Sequence, residues 1–386
     1  MTASALTRPG ERERLSVKLT QIDWRFVALL CAVAGVGGLM LYSVAKGSWE
    51  PWAANHLIRF GILLVAMLVL SMVSLRWWFA LSYPIYGLAL LMLALIEVPG
   101  LGYTAMGATR WLDVGVTRIQ PSEIMKIGLV LALARYYHGA TAQEARLHWK
   151  LIIPLAMIGL PFLLVAHQPD LGSAMLIGLT GAAIMFMAGL SGKFIVATGV
   201  PAAVAVPFYV VFGMHDYQRN RVLTFLNPEA DPSGTGYHIM QSKIALGSGG
   251  LLGKGYGLGS QSQLEFLPEK HTDFIFSAVS EEFGFVGSFG ILLCYAGIIL
   301  IALRIASLSH SHFGRLASAG VTATFALYVL INGAMVMGLA PVVGVPMPML
   351  SYGGTVMLTV MVGFGLVQAT RVHRYTEVTS GKGSLM

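Results

Sequence analysis

Charge is what this sequence has least of. Asp, Glu, Lys and Arg make up 11% of its 386 residues while 56% are hydrophobic, against about a quarter charged in an ordinary soluble domain. With a mean hydropathy of +0.71, such a chain cannot clothe a water-facing surface, which excludes a free globular protein. Cysteine is nearly absent too. Cys31 and Cys294 both fall in apolar runs, where a thiol behaves as a small hydrophobe, so no disulfide is expected. No repeat of about 20–50 residues recurs, and no gap between apolar runs would hold a second soluble domain. Met1 to Thr20 carries charge without a cleavable leader pattern, so the first apolar run is expected to stay as an anchor.

What the sequence has in abundance is apolar runs of membrane length. About 30 Å of hydrocarbon takes roughly 20 helical residues, and runs near 24–43, 57–73, 77–98, 124–137, 151–166, 173–189, 194–213, 274–303, 316–339 and 350–368 approach that measure. The expected fold is an all-α polytopic membrane protein of about ten helices. Lys and Arg set its orientation: Arg8, Arg12, Arg14, Lys18 and Arg25 precede the first run, Arg146 and Lys150 lie between the fourth and fifth, Arg304 and Arg315 between the eighth and ninth, and Arg371 and Arg374 follow the last. All four clusters fall on one side, the cytoplasmic one. Both termini are then cytoplasmic, and 99–120, 167–172, 214–272 and 340–349 lie outside. The net charge of +7 is mostly this bias and gives no support for nucleic acid as a partner. The simplest division is a cytoplasmic tail (1–20), one membrane domain (21–375) with a large outer loop (214–272) between helices seven and eight, and a second cytoplasmic tail (376–386).

The outer side holds the polar residues that need explaining. Leu267-Pro268-Glu269-Lys270-His271-Thr272-Asp273 ends a glycine-rich approach and then enters an apolar run, with Glu281 and Glu282 two turns further in. A desolvated carboxylate is costly unless paired or used, so Asp273 reads as the centre of the chemistry. Within the long loop stand Arg219, Arg221, Asp231, His238, Lys243 and Lys254. Tyr237, Met240 and Ile244 recur there at helical spacing, which fits a helix on the membrane surface or one packed against the bundle. The glycines from Gly247 to Gly259 match neither a phosphate loop, since Lys254 is followed by Gly255, nor a dinucleotide fingerprint, since Leu258 stands at the third glycine position. Tight turns close to a ligand or helix are the plain explanation.

Three further groups belong to that side. Arg110-Trp111-Leu112-Asp113 precedes Gln120-Pro121-Ser122-Glu123-Ile124-Met125-Lys126, whose proline starts a helix with Glu123 and Lys126 on one face. The two could form a structural ion pair, or Lys126 could meet an anionic substrate that Glu123 positions. In His167-Gln168-Pro169-Asp170-Leu171-Gly172 the carboxylate suits a helix cap. Pro346 to Gly354 breaks the chain before the last run, and Asn332 fits an interhelical hydrogen bond.

Together these motifs resemble the SEDS family (shape, elongation, division and sporulation proteins) across nearly the whole length. They are Arg110-Trp111-Leu112-Asp113, Gln120-Pro121-Ser122-Glu123 with Lys126, Gln168-Pro169-Asp170-Leu171-Gly172, Phe266-Leu267-Pro268-Glu269 with His271-Thr272-Asp273-Phe274-Ile275-Phe276, and Ser351-Tyr352-Gly353-Gly354. Gly253-Lys254-Gly255, Gln261 to Phe266 and Gly363-Phe364-Gly365 look more like the elongation member than its division relative. The resemblance implies a peptidoglycan glycosyltransferase that polymerises lipid II into nascent glycan outside the cytoplasmic (inner) membrane. It implies partnership with a class B penicillin-binding transpeptidase and other membrane proteins of the elongation complex. In that chemistry Asp273 is the expected base. Arg110, Lys126, Arg219 and Arg221 are expected to hold the lipid diphosphate, with Glu123, Asp170 and His271 also on the substrate. No preformed metal cage is visible, although a divalent cation (Mg or Mn) could share the diphosphate. The rival readings are a lipid II flippase, with Glu123, Lys126 and Asp170 along a path gated by Asp273, and a structural scaffold.

Overall fold

The computed structural model describes residues 15–98, 101–105, 108–113, 118–139, 148–194, 196–197, 200–201, 204, 216–227, 234–267 and 269–377. Its helices are α1 (Leu15–Gln21), α2 (Trp24–Val44), α3 (Ala53–Ser71), α4 (Leu75–Ile96), α5 (Pro121–His138), α6 (Ile152–His167), α7 (Leu171–Met187), α8 (Asp216–Leu226), α9 (Thr235–Ser248), α10 (Ser260–Gln263), α11 (Ile275–Ser307), α12 (His312–Val336) and α13 (Gly354–Val372). Six of these, α2, α3, α4, α11, α12 and α13, are long and apolar enough to span a membrane, and α6 and α7 are shorter apolar helices. The protein is therefore a multi-pass helical membrane protein, as its hydropathy predicts. The expected span 194–213 falls largely outside the described residues, as do most of the two tails. One addition to an all-helical fold lies in the segment read as a plain outer loop. There β1 (Gly102–Ala105), β2 (Ala108–Asp113) and β3 (Arg118–Ile119) form a small antiparallel sheet in the order β1-β2-β3.

Lipid reverses the usual sidedness of an amphipathic helix. On α3, Ile58, Ile62, Val65 and Val69 form an exposed stripe, while Ala53, His56, Phe60, Met67 and Ser71 face inward. Since lipid tails are as apolar as leucine, close packing holds the helices together and small residues mark the contacts. A Cβ on Gly128 of α5 would stand 3.1 Å from the Tyr86 Cα of α4. The helix α5 is enclosed by α4, α6, α7, α12 and α13. That enclosure explains how a span can carry Glu123 and Lys126, which no lipid-facing helix would keep.

The two ends of the bundle are tied by different contacts. At one end Lys18 Nζ donates to the Met72 carbonyl at 3.3 Å, Arg371 Nε to the Gln21 carbonyl at 2.8 Å, and the Phe313 N–H to His138 Nδ1 at 3.2 Å. Arg371 also pairs with Asp23. At the other end Lys46 pairs with Glu265 at 2.8 Å, Gln120 with Asp170 at 3.1 Å, and the Tyr352 N–H with the His271 carbonyl at 2.8 Å.

The run after Asp273 does not plunge directly into the membrane. Gly284 (φ 65°, ψ −161°) interrupts α11, so 275–283 is a separate half-helix. It reaches from the C-terminal end of α12, where Ser277 and the Val336 carbonyl share Ser242, to the C-terminal end of α2, where Glu282 meets Ser43. Glu281 and Glu282 therefore lie at the end of this half-helix rather than deep in a span, and each is bonded. Glu281 accepts from Lys254 Nζ at 2.6 Å and from the Gln261 N–H at 3.0 Å; Glu282 accepts from Ser43 Oγ at 2.5 Å and from the Gly257 N–H at 3.1 Å.

The glycine run supplies this clasp, and its helix α9 packs against α11 instead of lying free on the surface. A Cβ on Gly249 would stand 1.9 Å from the Ser280 carbonyl oxygen and one on Gly253 (φ +81°) 2.1 Å from that of Glu282. Gly253→Ala is expected to lower the melting temperature in detergent well beyond Gly257→Ala, since Gly257 (φ +74°) faces open space and bears only the left-handed penalty of about 1–2 kcal/mol. Equal melting temperatures by thermal unfolding fluorescence would refute the tight contact.

Candidate functional site at the outer end of the bundle

Asp273 lies on a turn bonded to itself. The Thr272 and Phe274 N–H groups reach the Glu269 carbonyl at 3.1 and 3.3 Å, and Thr272 Oγ1 donates to Glu269 Oε2 at 2.8 Å. Leu267 and Phe274, both buried, anchor it on either side. Asn332 of α12 fixes the turn from below, its Nδ2 donating to the Asp273 carbonyl at 2.9 Å and to the Val345 carbonyl at 2.8 Å. The half-buried Asp273 carboxylate faces Gly344, whose Cβ, if present, would stand 3.8 Å from Oδ2. His271 stacks on Trp52 with ring centroids 4.4 Å apart and planes 9° from parallel. Burial pushes its imidazole below the ordinary histidine value, against the pull of Glu269.

One helical turn below Asn332, about 5–6 Å along α12, Tyr328 closes a triangle with α5. Lys126 Nζ donates to Glu123 Oε1 at 2.5 Å and to the Tyr328 hydroxyl, which donates to Glu123 Oε2 at 2.7 Å. All three side chains are buried. The ammonium thus faces a carboxylate and a phenol, leaving one of its three N–H groups without an assigned acceptor. The ion-pair reading of Glu123 and Lys126 is what the geometry shows. Tyr328 escaped the sequence reading, although Tyr328 and Asn332, four apart in an apolar helix, form a polar pair that could have flagged it.

The remaining expected residues divide. Asp170 caps α7, accepting from the Ser173 N–H at 3.2 Å, and takes Gln120 Nε2 at 3.1 Å. Arg110 Nη2 donates to the Pro169 carbonyl at 2.6 Å, which ties β2 to the same turn, while its buried Nε has no partner among the described residues. The segment 343–345 joins this turn to Asp273: Gly172 packs on the Val343 carbonyl, Gly344 adjoins the Asp273 carboxylate and Val345 shares Asn332. Arg219 and Arg221 do not join this group through any described contact. They stand on α8, which packs on α9, and the Arg221 side chain lies outside the described residues. Among those residues no group of three or more His, Cys, Asp or Glu gathers, so a divalent cation here would take most of its ligands from its substrate.

Fold and site together define a polytopic membrane protein whose polar machinery collects at one end of a helical bundle. A family model described as a cell cycle protein, of the FtsW, RodA and SpoVE type, matches residues 23–377, and the chain belongs to that family. The SEDS resemblance read from the motifs is thus borne out. The peptidoglycan glycosyltransferase MrdB of Escherichia coli K12 is 41% identical over 353 residues, covering 92% of this chain and 94% of that protein. Stage V sporulation protein E of Bacillus subtilis is 31% identical over 370 residues, 94% of this chain and all of that one. In three dimensions the chain is similar to a component of a peptidoglycan synthase complex that coordinates polymerization and crosslinking (TM-score 0.79, 31% identity, 92% and 99% of the two chains). It is also similar to the rod shape determining protein RodA of Thermus thermophilus (TM-score 0.69, 28% identity, 92% and 98%).

The triangle makes a stability prediction. Lys126→Met alone leaves a buried carboxylate without its cation and is expected to cost about 3–5 kcal/mol, while Glu123→Gln with Lys126→Met removes both charges and should recover most of that loss. Thermal unfolding of the two variants in detergent checks this; a double variant no more stable than the single one would show that the charges are not mutually compensating.

Proposed function

We propose that this chain is a peptidoglycan glycosyltransferase that polymerises lipid II during cell elongation, with Asp273 as its general base. The observation that carries the base assignment is the placement of Asp273, a half-buried carboxylate on a turn locked by Asn332, Glu269 and the Trp52–His271 stack. In the step, a sugar hydroxyl of the acceptor gives its proton to Asp273 as its oxygen attacks the anomeric carbon of the donor. The bond from that carbon to the lipid diphosphate breaks, and the diphosphate leaves with the electron pair. One displacement turns an α-linked donor into a β-linked product and requires no second carboxylate nucleophile.

The diphosphate needs cations. Arg110, whose Nε has no partner among the described residues, and Lys126, with one N–H not assigned an acceptor beside its pair with Glu123, are candidates, and Arg219 and Arg221 would have to approach with α8. Mg or Mn held by the diphosphate and one carboxylate would share that charge. The cationic end of the bundle, with Lys18, Arg371 and Arg374, faces the cytoplasm by the positive-inside rule, so Asp273 faces outward. A class B penicillin-binding transpeptidase is the partner this reading implies, docking along the spans and reaching over the outer loop. Similarity to a component of a peptidoglycan synthase complex supports that pairing.

Purified with that transpeptidase in detergent, where flipping across a bilayer has no meaning, the protein is expected to build glycan from lipid II. Asp273→Asn should insert, fold and lose about 10²–10⁴-fold in rate. An Asn variant polymerising at the parental rate would overturn the base. Absence of product from the parent, alongside lipid II movement in sealed vesicles, would favour the flippase reading instead.

A further inference from the structure

Two residues before Asp273 the chain lines a cavity of about 470 Å³, walled by Val44, Ala45, Lys46, Glu50, Pro51 and Trp52 on the turn from α2 to α3 and by Glu265, Leu267, Glu269, Lys270 and His271 on the approach to the site. The volume lies within the usual range of small-molecule pockets, about 300–1,000 Å³. Resting on the reading of Asp273 as base, we propose that this cavity is a saccharide subsite that holds an uncharged N-acetylated hexose of the glycan beside the reacting centre.

The wall chemistry selects that class of ligand. Three carboxylates face two ammonium groups, so the balance is negative and a diphosphate is disfavoured. The ammonium groups are also engaged, Lys46 by Glu265 at 2.8 Å and Lys270 by the Ser262 carbonyl at 2.6 Å. The free groups are of another kind. Among the described residues the Glu50 carboxylate, the Trp52 indole N–H and the ring nitrogens of His271 have no hydrogen-bond partner. Burial holds His271 below its ordinary value, so near neutral pH its ring offers one donor and one acceptor. A carboxylate, an indole N–H and a neutral imidazole suit hydroxyl and acetamido groups, while the stacked Trp52 and His271 rings make part of the wall apolar for sugar C–H groups. His271 is two residues from Asp273 in the chain, so a sugar seated here would lie close to the turn that carries the base.

The sugar could belong to incoming lipid II or to the growing strand, and the variants Glu50→Gln, which preserves size, and Trp52→Phe, which keeps an aromatic ring but removes the indole N–H, distinguish them. Chitotetraose, uncharged and free of lipid and peptide, serves as probe in saturation-transfer NMR on the full-length protein in detergent. Parent and Asp273→Asn should both give the signal, and each cavity variant should weaken binding about tenfold, the loss of one hydrogen bond to a charged or polar partner. In polymerisation assays, shorter strands at unchanged KM for lipid II would assign the cavity to the growing strand; a raised KM at unchanged length would assign it to the incoming unit. Parental chitotetraose binding, strand length and KM in both variants would overturn the subsite while leaving the base untouched. An active Asp273→Asn variant would overturn the base while leaving the NMR result to stand.

Discussion

One amide joins the segments at the site end of this bundle. Asn332, buried on α12, donates through the same nitrogen to the carbonyls of Asp273 and Val345. Where water is scarce a backbone carbonyl without a donor costs several kcal/mol, so a side chain that satisfies two of them fixes both segments at once. The turn of Asp273 and the irregular stretch before α13 are thereby referenced to a rigid span. The same span carries Tyr328, so the Asp273 turn and the Glu123–Lys126 pair are held at a fixed separation by helix geometry.

The half-helix 275–283 extends that logic sideways. Its first residues follow Asp273, and its last are gripped by the glycine run through Lys254, Gly257 and close backbone contact. A short helix broken at Gly284 would otherwise have two free ends. Here one is bonded to the turn and the other to a clasp that itself reaches the C-terminal end of α2. Glu281 and Glu282 therefore serve the scaffold, bonded to the glycine run and to Ser43.

The sequence made most of the bundle legible because membrane spans depend on run length, a property local to the chain. Its ends were legible because Lys18, Arg371 and their neighbours sit on one side. The helix cap at Asp170 and the turns at Gly253 were readable for the same reason, since each depends on near neighbours. Gly284 was not, because a lone glycine in an apolar run looks like many others until Gly253 is found packed against it. Trp52 gave no local sign of a role; its partner His271 is far along the chain, and only folding brings the rings together. The small sheet at 102–119 was likewise hidden by a weak and irregular pattern between two strong helices.

The opposite end of the molecule has a consequence of its own. Arg371 near the end of α13 holds Gln21, the last residue of α1, and Asp23, the cap of α2, and Lys18 lies 3.2 Å from His373. A pull on α1 would therefore be resisted at α13 through Arg371, by contacts distinct from those that hold the turn of Asp273.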